Sequence, residues 1–364
     1  MTNLDCRQVF DTPTPKLEVF EYQSEIKICP KCGKINKGQF PEGVNSPVQY
    51  GSRFRGMLVY MQTQHFMPAG RLSQMVSDFY GTSVSVATIL DASSRIYDNL
   101  APFEEEIVDI LSNSKVLHVD ESGLRTVKKL YWLHSASTET VTFLGVHEKR
   151  GSLATDHFNI LPNFTGRLIH DFWKPYFTYD CNHGLCNSHH LRELTFLFEQ
   201  QGQIWAKDMF ELLLEMNIFA SKQHKQLTSE QTEPWLKRYR KIISEGWAEN
   251  PLPKKPPPKK KRGRRAKTKA QNLLTRLDDF EDSVLAFLHD INVPFTNNLA
   301  EQDIRMIKVR LKISGCFRTV QGAEHFARIR SYLSTARKQG RNILDSITAA
   351  IKGIPFQSVV LGSF

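Results

Sequence analysis

Two aspartates stand where short apolar runs end. Asp120 closes the run VLHVD, and Asp171 closes the run LIHD 51 residues later. The interior of a strand disfavours an unpaired carboxylate because burying its charge is costly, but at the carboxyl end of a strand the group can reach solvent, a metal ion or a substrate. The other interpretation is an aspartate that opens a turn, as in DESG.

A third carboxylate, Glu301, lies in the predicted helix NNLAEQDIRMIKVRL, which follows Pro294 and which Asn297 can cap. Apolar residues recur four, three and four positions apart and predict its buried stripe: Ala300, Ile304, Ile307 and Leu311. Glu301, Arg305 and Lys308 form the adjacent face. This face is either an ordinary surface ion pair, which contributes little to stability, or a metal-binding glutamate flanked by cations that neutralise phosphates.

Three carboxylates around an α/β sheet have the chemistry that metal-dependent phosphoryl transfer requires. Mg²⁺ takes oxygen ligands and keeps several of its waters. Two such ions, about 3.5–4 Å apart, stabilise the attacking and leaving oxygens of an in-line displacement. The spacing of the three residues along the sequence does not by itself establish that they converge.

Cysteine and histidine are concentrated in the segment CNHGLCNSHH. Its side chains able to bind zinc are Cys181, His183, Cys186, His189 and His190. This spacing is typical of a zinc site and equally of a helix start with buried thiols. His118 and His170, which lie beside the two aspartates, are predicted to pack against the sheet.

A second cysteine pair, Cys29-x2-Cys32, is typical of one knuckle of a zinc ribbon. Two thiolates do not complete a tetrahedral Zn²⁺ site, and Cys6 is the other cysteine nearby. The pair therefore predicts at most a partial zinc site.

The positive charge of the chain is concentrated in two zones. Its 48 Lys and Arg stand against 38 Asp and Glu, a formal net charge of +10. Seven Lys and three Arg fall in the acid-free tract Lys254–Lys269, and ten more cations lie between Ile304 and Asn342, where Glu324 is the single acid. Two basic zones indicate a polyanionic partner, most simply nucleic acid. For the tract alone, a solvated linker or a localisation tag is the alternative.

Composition excludes several classes of protein. With 40% hydrophobic and 24% charged residues and six scattered cysteines, the chain is not a disordered tail, a collagen-like rod or a disulfide scaffold. Its first residues, MTNLDCRQVF, lack the features of a secretory signal, and no apolar run approaches the roughly 18 residues of a membrane span. We therefore expect a soluble, intracellular protein with reduced thiols and no membrane partner.

The elements that must position these residues follow from hydrophobic periodicity. The first 50 residues predict a short β-hairpin module around the CPKCG turn, and residues 52–110 predict a small helical bundle, for which DNA binding is one hypothesis. The runs KVLHVDESGL, KLYWLHSAS and TVTFLGVHE predict a β-meander, which a helix near 151–160 and the strand GRLIHD extend into an α/β core. Helical patterns follow over 174–249 and again from Gln271. One of them predicts buried core positions: Trp205, Met209, Leu212, Leu213, Met216 and Phe219.

Over essentially its whole length, the sequence resembles the insertion-sequence-66 family of bacterial transposases. The runs that carry the resemblance are EIKICPKCG, PVQYG, VLHVDESGLR, YWLHSASTET, VHEKRG, LIHDFWKPY, LCNSHHLRELTF, VPFTNNLAEQDIRMIKVRLKISGCFRT and ARIRSYLSTARKQGRN. This family is similar to the DDE transposases, which have a ribonuclease-H-like core and two divalent metal ions. The resemblance implies that Asp120, Asp171 and Glu301 are the three catalytic, metal-binding acids.

The resemblance also includes a cysteine–histidine signature, and the sequence departs from the family's usual residues at several positions. Cys186-x2-His189 resembles the Cys/Asp-x2-His signature of many DDE transposases, which supports the active-site region structurally. Ser122 stands where Thr is usual, Phe172 where Gly is usual, and Gln302 where Arg is common. The upstream Cys-x2-Cys partner and the usual far N-terminal helices have no counterpart here, which implies a shortened protein.

These observations predict an α/β fold with a ribonuclease-H-like mixed sheet core and a large helical insertion, preceded by a small helical region and a partial zinc-ribbon-like β module. The predicted ranges are 1–50 for the ribbon-like module, 51–112 for the helical region, 113–174 for the first part of the core, 175–290 for the insertion with its basic linker, and 291–364 for the last part of the core.

The predicted function is metal-dependent DNA strand cleavage and strand transfer at the ends of a mobile element. The expected cofactors are two Mg²⁺ or Mn²⁺ ions, with Zn²⁺ at Cys29 and Cys32 as an open question. The expected partners are the terminal inverted repeats and target DNA, a second copy of the chain on DNA, and accessory transposition proteins, in the bacterial cytoplasm at the nucleoid. The rivals are a nuclease that cuts without joining and an impaired DNA-binding remnant of a transposase.

Basic side chains are assigned to phosphates rather than to bases. Arg305 and Lys308 are predicted to steady the scissile phosphate. The tract supplies further predicted DNA contacts: Lys259, Lys260, Lys261, Arg262, Arg264 and Arg265. A helical series is also predicted to follow the DNA backbone: Arg328, Arg330, Arg337 and Arg341.

Overall fold

Strands and helices alternate through much of the chain. The computed structural model describes residues 5–252 and 267–358. The strands in these residues are β1 Ile26–Ile28, β2 Ile35–Lys37, β3 Val116–Thr126, β4 Lys129–Ser137, β5 Thr142–His147, β6 Arg167–His170 and β7 Asn182–Leu185. The α-helices are α1 Ser52–Val59, α2 Ala69–Tyr80, α3 Val86–Asn99, α4 Ala101–Ser112, α5 Ser152–His157, α6 Asn187–Gln201, α7 Ile204–Ser221, α8 Ser229–Glu249, α9 Lys269–Asp279, α10 Glu281–Val284, α11 Ala286–His289, α12 Asn298–Ser314, α13 Val320–Lys338 and α14 Ile343–Ile351.

Packing divides the described chain into two compact units. One contains the residues up to Pro102 together with Gly340–Gln357, and the other contains Phe103–Gln339 with Ser358. The five ranges predicted from the sequence follow composition rather than packing, and they stay predictions. The predicted DNA contacts of the basic tract lie outside the described residues: Lys259, Lys260, Lys261, Arg262, Arg264 and Arg265.

In the first unit, β1 and β2 form the predicted hairpin. Ile26 lies opposite Lys37 and Ile28 opposite Ile35. Gly33 closes the turn with a φ of 68°, which glycine adopts at little cost, and its backbone N–H donates to the carbonyl of Cys29 at 2.8 Å. The hairpin is confirmed, whereas its identity as part of a zinc ribbon stays a prediction.

The helices of the first unit share a small apolar core. Leu58, Leu72, Val76, Val84 and Ile89 form a core between α1, α2, α3 and the turn before α3. The C-terminal helix α14 packs against α1 and α3. At Gly56 a Cβ atom would lie 2.9 Å from the hydroxyl of Thr348, so glycine allows α1 to approach α14 closely.

The second unit is built on a five-stranded mixed sheet with strand order β5-β4-β3-β6-β7. β3, β4 and β5 form the predicted antiparallel meander, β6 is parallel to β3, and β7 is parallel to β6. The mixed α/β core is confirmed. The chain after Trp173 is largely helical to Glu249, as predicted, but NHGL forms the strand β7 by pairing with β6. A Cβ at Gly184 would lie 2.6 Å from Ile169 Cδ1, which shows how closely the two strands pack.

Helices α6 to α11 share one hydrophobic core with the end of the sheet formed by β6 and β7. Ile169 and Leu185 contribute to this core from the strands. Trp205, Met209, Leu212, Leu213 and Met216 are fully buried in it, and Phe219 packs at its border, as predicted. On the other part of the sheet, α12 packs on β3 and β4, and α13 packs on β5.

None of the helices in the described part of the chain combines the length and the apolar character needed to cross a bilayer.

Candidate active site

Asp120 lies on β3, and Asp171 directly follows the neighbouring parallel strand β6. His118 is paired with Ile169. Continuing this register by two residues sets Asp120 opposite Asp171, with both side chains on one face of the sheet, and adjacent strands are about 4.8 Å apart. The sequence predicts that Asp120 ends its strand, but β3 continues to Thr126 in pairing with β4. What ends near Asp120 is the pairing with β6, because β6 stops at His170.

The turn that carries Asp171 is held by two backbone hydrogen bonds. The N–H of Trp173 donates to Asp171 Oδ1 at 3.1 Å, and the N–H of Phe172 donates to His170 Nδ1 at 3.2 Å. Because Nδ1 accepts, Nε2 carries the proton of His170 and donates to His183 Nδ1 at 3.1 Å. Burial lowers the pKa of His170 to about 3, which keeps the ring neutral.

Phe172 occupies a left-handed backbone conformation with a φ of 75°. This conformation is costly for a residue with a side chain and favours glycine. The phenyl ring packs against Phe177 and Phe280 at centroid distances of 5.4 and 5.0 Å. Ring packing and the hydrogen bond to His170 therefore stabilise the strained turn beside Asp171.

Asn297 fixes the start of α12 against the sheet. Its Nδ2 donates to the Val119 carbonyl at 2.8 Å, so its Oδ1 accepts from His118 Nδ1, also at 2.8 Å. Its backbone N–H lies 3.1 Å from Cys186 Sγ, and its carbonyl accepts the N–H of Glu301 at 3.2 Å. The predicted side-chain cap is therefore wrong, because the amide bonds the sheet instead of the helix. The buried Asn297 brings the first turn of α12, and Glu301 with it, to the strand bearing Asp120.

Glu301 also reaches the segment that follows β7. Cys186 Sγ is 4.0 Å from Glu301 Oε1, and one ligand atom from each of Cys186, His189 and Glu301 lies within 4.8 Å of the others. Cys186 is the residue before α6, and His189 lies in its first turn. The predicted alternative of a helix start with a buried thiol is confirmed for Cys186. Within the described residues, the other members of this segment do not join the group: Cys181, His183 and His190.

The electrostatics at Asp120 identify a place suited to a cation. Burial, the adjacent Glu121 and the charges of Asp171 and Glu301 raise the pKa of Asp120 to about 7. Mutual repulsion of carboxylates across a half-buried sheet edge is relieved when they share a divalent cation. The donor set of Asp120, Asp171 and Glu301 consists of hard oxygens, which fits Mg²⁺ or Mn²⁺.

A second buried carboxylate next to Asp120 was not predicted from the sequence. Glu121 Oε1 accepts from Arg150 Nε and Nη2 at 2.9 and 2.6 Å, and Oε2 accepts from the Tyr176 hydroxyl at 2.5 Å. The Arg150 guanidinium lies between the rings of Trp132 and Trp173, at 4.9 and 4.5 Å from their centroids. Burial raises the pKa of Glu121, while these donors oppose the rise. In the sequence, the one local feature that could have identified Glu121 is its position directly after Asp120.

Asp303 anchors the next turn of α12. It accepts from Ser137 at 2.7 Å, Thr142 at 3.0 Å and Ser334 at 2.7 Å, and it pairs with Lys338 at 3.0 Å. These donors overcome the effect of burial and lower the pKa of Asp303. The carboxylate thus ties α12 to β4, β5 and α13. The predicted apolar stripe of α12 is confirmed, with Ala300, Ile304 and Ile307 buried and Leu311 half-buried.

The predicted phosphate contacts divide into two groups. Arg305 and Lys308 are exposed, and in the described part of the chain neither forms an ion pair. In contrast, Arg330 is 5% exposed and Arg328 pairs with Glu104 at 2.7 Å. The prediction that these two arginines follow the DNA backbone is therefore wrong, because their guanidinium groups are used within the fold. Arg337 and Arg341 are exposed.

Cys29 and Cys32 lie in a knuckle-like turn. Backbone N–H groups of Cys32 and Lys31 and the Cys32 side chain lower the pKa of the Cys29 thiol, which favours the thiolate. Among the residues that the structure describes, no third metal-binding side chain joins the pair. A tetrahedral zinc site requires four ligands, so zinc binding at Cys29 and Cys32 stays a prediction.

Comparison with protein families gives a match over most of the chain. A family model described as Transposase IS66 family matches residues 47–325, which include the sheet, the acids and α12. A search of curated proteins finds none that matches.

Proposed function

The chain belongs to the IS66 family of transposases, and on that premise we propose that it is a DDE-type enzyme. It cleaves DNA at the ends of an insertion sequence and joins the freed ends to target DNA. The observation that supports this most is the placement of Asp120 on β3 and of Asp171 directly after the parallel strand β6, with Glu301 attached to β3 through Asn297.

The surroundings of the three acids support the catalytic assignment. Asp120, Asp171 and Glu301 would hold two Mg²⁺ or Mn²⁺ ions, which supply Lewis-acid stabilisation of the attacking and leaving oxygens when bound. Asp120 must lose its proton to act as a ligand. The neighbouring carboxylates raise its pKa, so that loss would become easier when a bound cation neutralises their charge. Trp173 N–H keeps Asp171 Oδ1 in place, so little reorganisation of that carboxylate is required.

The chain's own cations orient the DNA. Arg305 and Lys308 lie one and two turns beyond Glu301 on α12, exposed and unpaired by acids of the described chain. Both can contact the phosphates that flank the cleaved bond, and such contacts position the backbone without reading bases. The nucleophile is water in cleavage and the freed 3′-hydroxyl in joining.

The proposal also covers the partners of the chain and its place of action. The DNA partners are the terminal inverted repeats and the target, a second copy of the chain binds on DNA, and accessory transposition proteins assist. The site of action is the bacterial cytoplasm at the nucleoid. The alternative is an impaired DNA-binding remnant of such a transposase.

Strand cleavage and joining on DNA that carries the flanking inverted repeats tests the proposal. We expect products with Mg²⁺ or Mn²⁺ from the wild type and a loss of at least about 1,000-fold in Asp120→Asn, Asp171→Asn and Glu301→Gln, because each removes a metal-binding charge. Asp180→Asn is the matched control, because it neutralises an exposed acid that follows Asp171 in the chain. This variant should retain activity.

The products distinguish the rival functions. Cleaved but never joined DNA would identify a nuclease, since joining requires the 3′-hydroxyl as nucleophile. DNA binding without products from folded wild type would establish the remnant. Equal activity in wild type and Glu301→Gln would refute the assignment of the third acid.

A further inference from the structure

The group formed by Cys186, His189 and Glu301 has a different donor chemistry from the three acids. It offers one sulfur, one imidazole nitrogen and one carboxylate oxygen within 4.8 Å of one another. Thiolate and imidazole are ligands of Zn²⁺ and are poor ligands of Mg²⁺, which takes oxygen. Glu301 is therefore shared between a set of hard donors and a set of soft donors.

The geometry is close to that of a tetrahedral zinc site. Zinc binds sulfur at about 2.3 Å and carboxylate oxygen at about 2.0–2.2 Å, which sets the two ligand atoms about 3.6 Å apart in a tetrahedron. Cys186 Sγ and Glu301 Oε1 are 4.0 Å apart. A rotation of the Glu301 side chain that shortens this separation by a few tenths of an ångström would let both atoms bind one zinc ion.

The surroundings of the group also indicate a ligand. Cys186 is 1% exposed, so its sulfur is shielded from solvent. His189 Nδ1 is buried and has no hydrogen-bond partner among the described residues, an arrangement that is costly unless another group binds the ring.

We propose that Cys186, His189 and Glu301 form a Zn²⁺ site that competes with the catalytic metal ions for Glu301. Three protein ligands leave the fourth position of the tetrahedron open to water. Binding releases the thiol proton of Cys186 to solvent and forms a sulfur–zinc bond, with no change of oxidation state. Zinc binding itself depends on the geometry alone, whereas the competition rests on the proposed function of Glu301.

Cobalt absorption tests the site without any measurement of activity. The protein used is the full chain with Cys29→Ser and Cys32→Ser, which removes the knuckle as a second thiolate site. Titration with Co²⁺ should give a sulfur-to-cobalt charge-transfer band at one ion per chain, and an equivalent of Zn²⁺ should abolish it. The band should be absent in Cys186→Ser. In His189→Ala the apparent affinity for Co²⁺ should be at least 10-fold lower.

Two controls make each outcome decisive. Cys181→Ser removes a half-buried cysteine of the same segment and should leave the titration unchanged. His189→Ala, at a half-buried position, covers the case in which Cys186→Ser fails to fold. A chain that gives no cobalt band, or a band that persists in both Cys186→Ser and His189→Ala, overturns the proposal and leaves the proposed function intact.

Inhibition tests the competition for Glu301. With Mg²⁺ held constant, Zn²⁺ added to one equivalent in the same knuckle-free background should reduce strand cleavage at least 10-fold. In Cys186→Ser that reduction, measured against the variant's own rate without Zn²⁺, should fall to less than 2-fold. Equal inhibition in both proteins would overturn the competition, whereas absence of cleavage in all of them would count against the proposed function and leave the cobalt result standing.

Discussion

Asp120 is held where its charged form is disfavoured, and this has a consequence for stability. The pKa of an aspartate in an unfolded chain is about 3.9, whereas burial and neighbouring acids raise the pKa of Asp120 to about 7. Between these values the folded protein binds the proton more tightly than the unfolded chain does. The free energy of unfolding therefore falls as the pH rises from about 4 to 7.

Asp120→Asn removes the ionisable group and should stabilise the metal-free protein at pH 8 by up to about 4 kcal/mol. The gain should shrink toward pH 4, where the carboxylate of the unfolded wild-type chain also begins to bind its proton. Urea unfolding from pH 4 to 8 without divalent metal measures the effect, with Asp180→Asn as the exposed-acid control. A difference that does not change with pH would contradict the raised pKa.

At the scale of elements, the start of α12 decides where Glu301 lies. Asn297 holds this start through His118 and Val119 on β3 and through Cys186 before α6. Asp303 holds the next turn through β4, β5 and α13. The helix is thus attached by polar contacts at two consecutive turns, and the first of them sets the position of the third acid.

Asn297→Ala should lower both stability and activity. Removing the amide leaves the Val119 carbonyl and His118 Nδ1 without their partner, which costs about 1–3 kcal/mol. The freed helix start should misplace Glu301 and reduce cleavage on the order of 100-fold.

Asn298→Ala is the matched control for that variant, because Asn298 is the exposed neighbour on α12. Urea unfolding and single-turnover cleavage compare the two variants. Full activity in a destabilised Asn297→Ala would show that Asn297 supports the fold without positioning the acid.

At the scale of the molecule, the surface cations determine how DNA affinity responds to salt. Each phosphate neutralised by a cation releases counterions, so the logarithm of affinity falls with the logarithm of salt by about 0.9 for each contact. Arg305 and Lys308 are available for such contacts. Arg328 and Arg330 are used within the fold.

Arg305→Ala combined with Lys308→Ala should weaken binding to all DNA sequences alike and reduce the salt slope by about 1.8, twice the value for one contact. Fluorescence anisotropy with duplex DNA at a series of salt concentrations measures the slope. Lys241→Ala, which removes an exposed cation paired with Glu245 on α8, is the control and should leave the slope unchanged. An unchanged slope in the double variant would place the DNA on another surface.

Local sequence patterns determined much of the fold. Runs of β-branched and aromatic residues separated by turn residues predicted the meander of β3, β4 and β5. Helical spacing predicted the buried faces of α7 and α12, because burying an apolar face requires nothing beyond the period of the helix. The same patterns identified Asp120 and Asp171 as carboxylates at apolar strands. Family resemblance, rather than spacing, joined Glu301 to them.

Tertiary structure decided the contacts between residues far apart in the chain. NHGL becomes β7 through pairing with β6, Asn297 bonds a strand some 178 residues earlier, and Glu121 is satisfied by Arg150 and Tyr176. The left-handed turn at Phe172 and the meeting of Cys186, His189 and Glu301 likewise depend on neighbours brought by folding. A hydrogen bond or a shared ligand site depends on the distance between residues in space, whereas periodicity records only which face of an element is buried. The sequence therefore determined the elements, and the tertiary fold assembled the site.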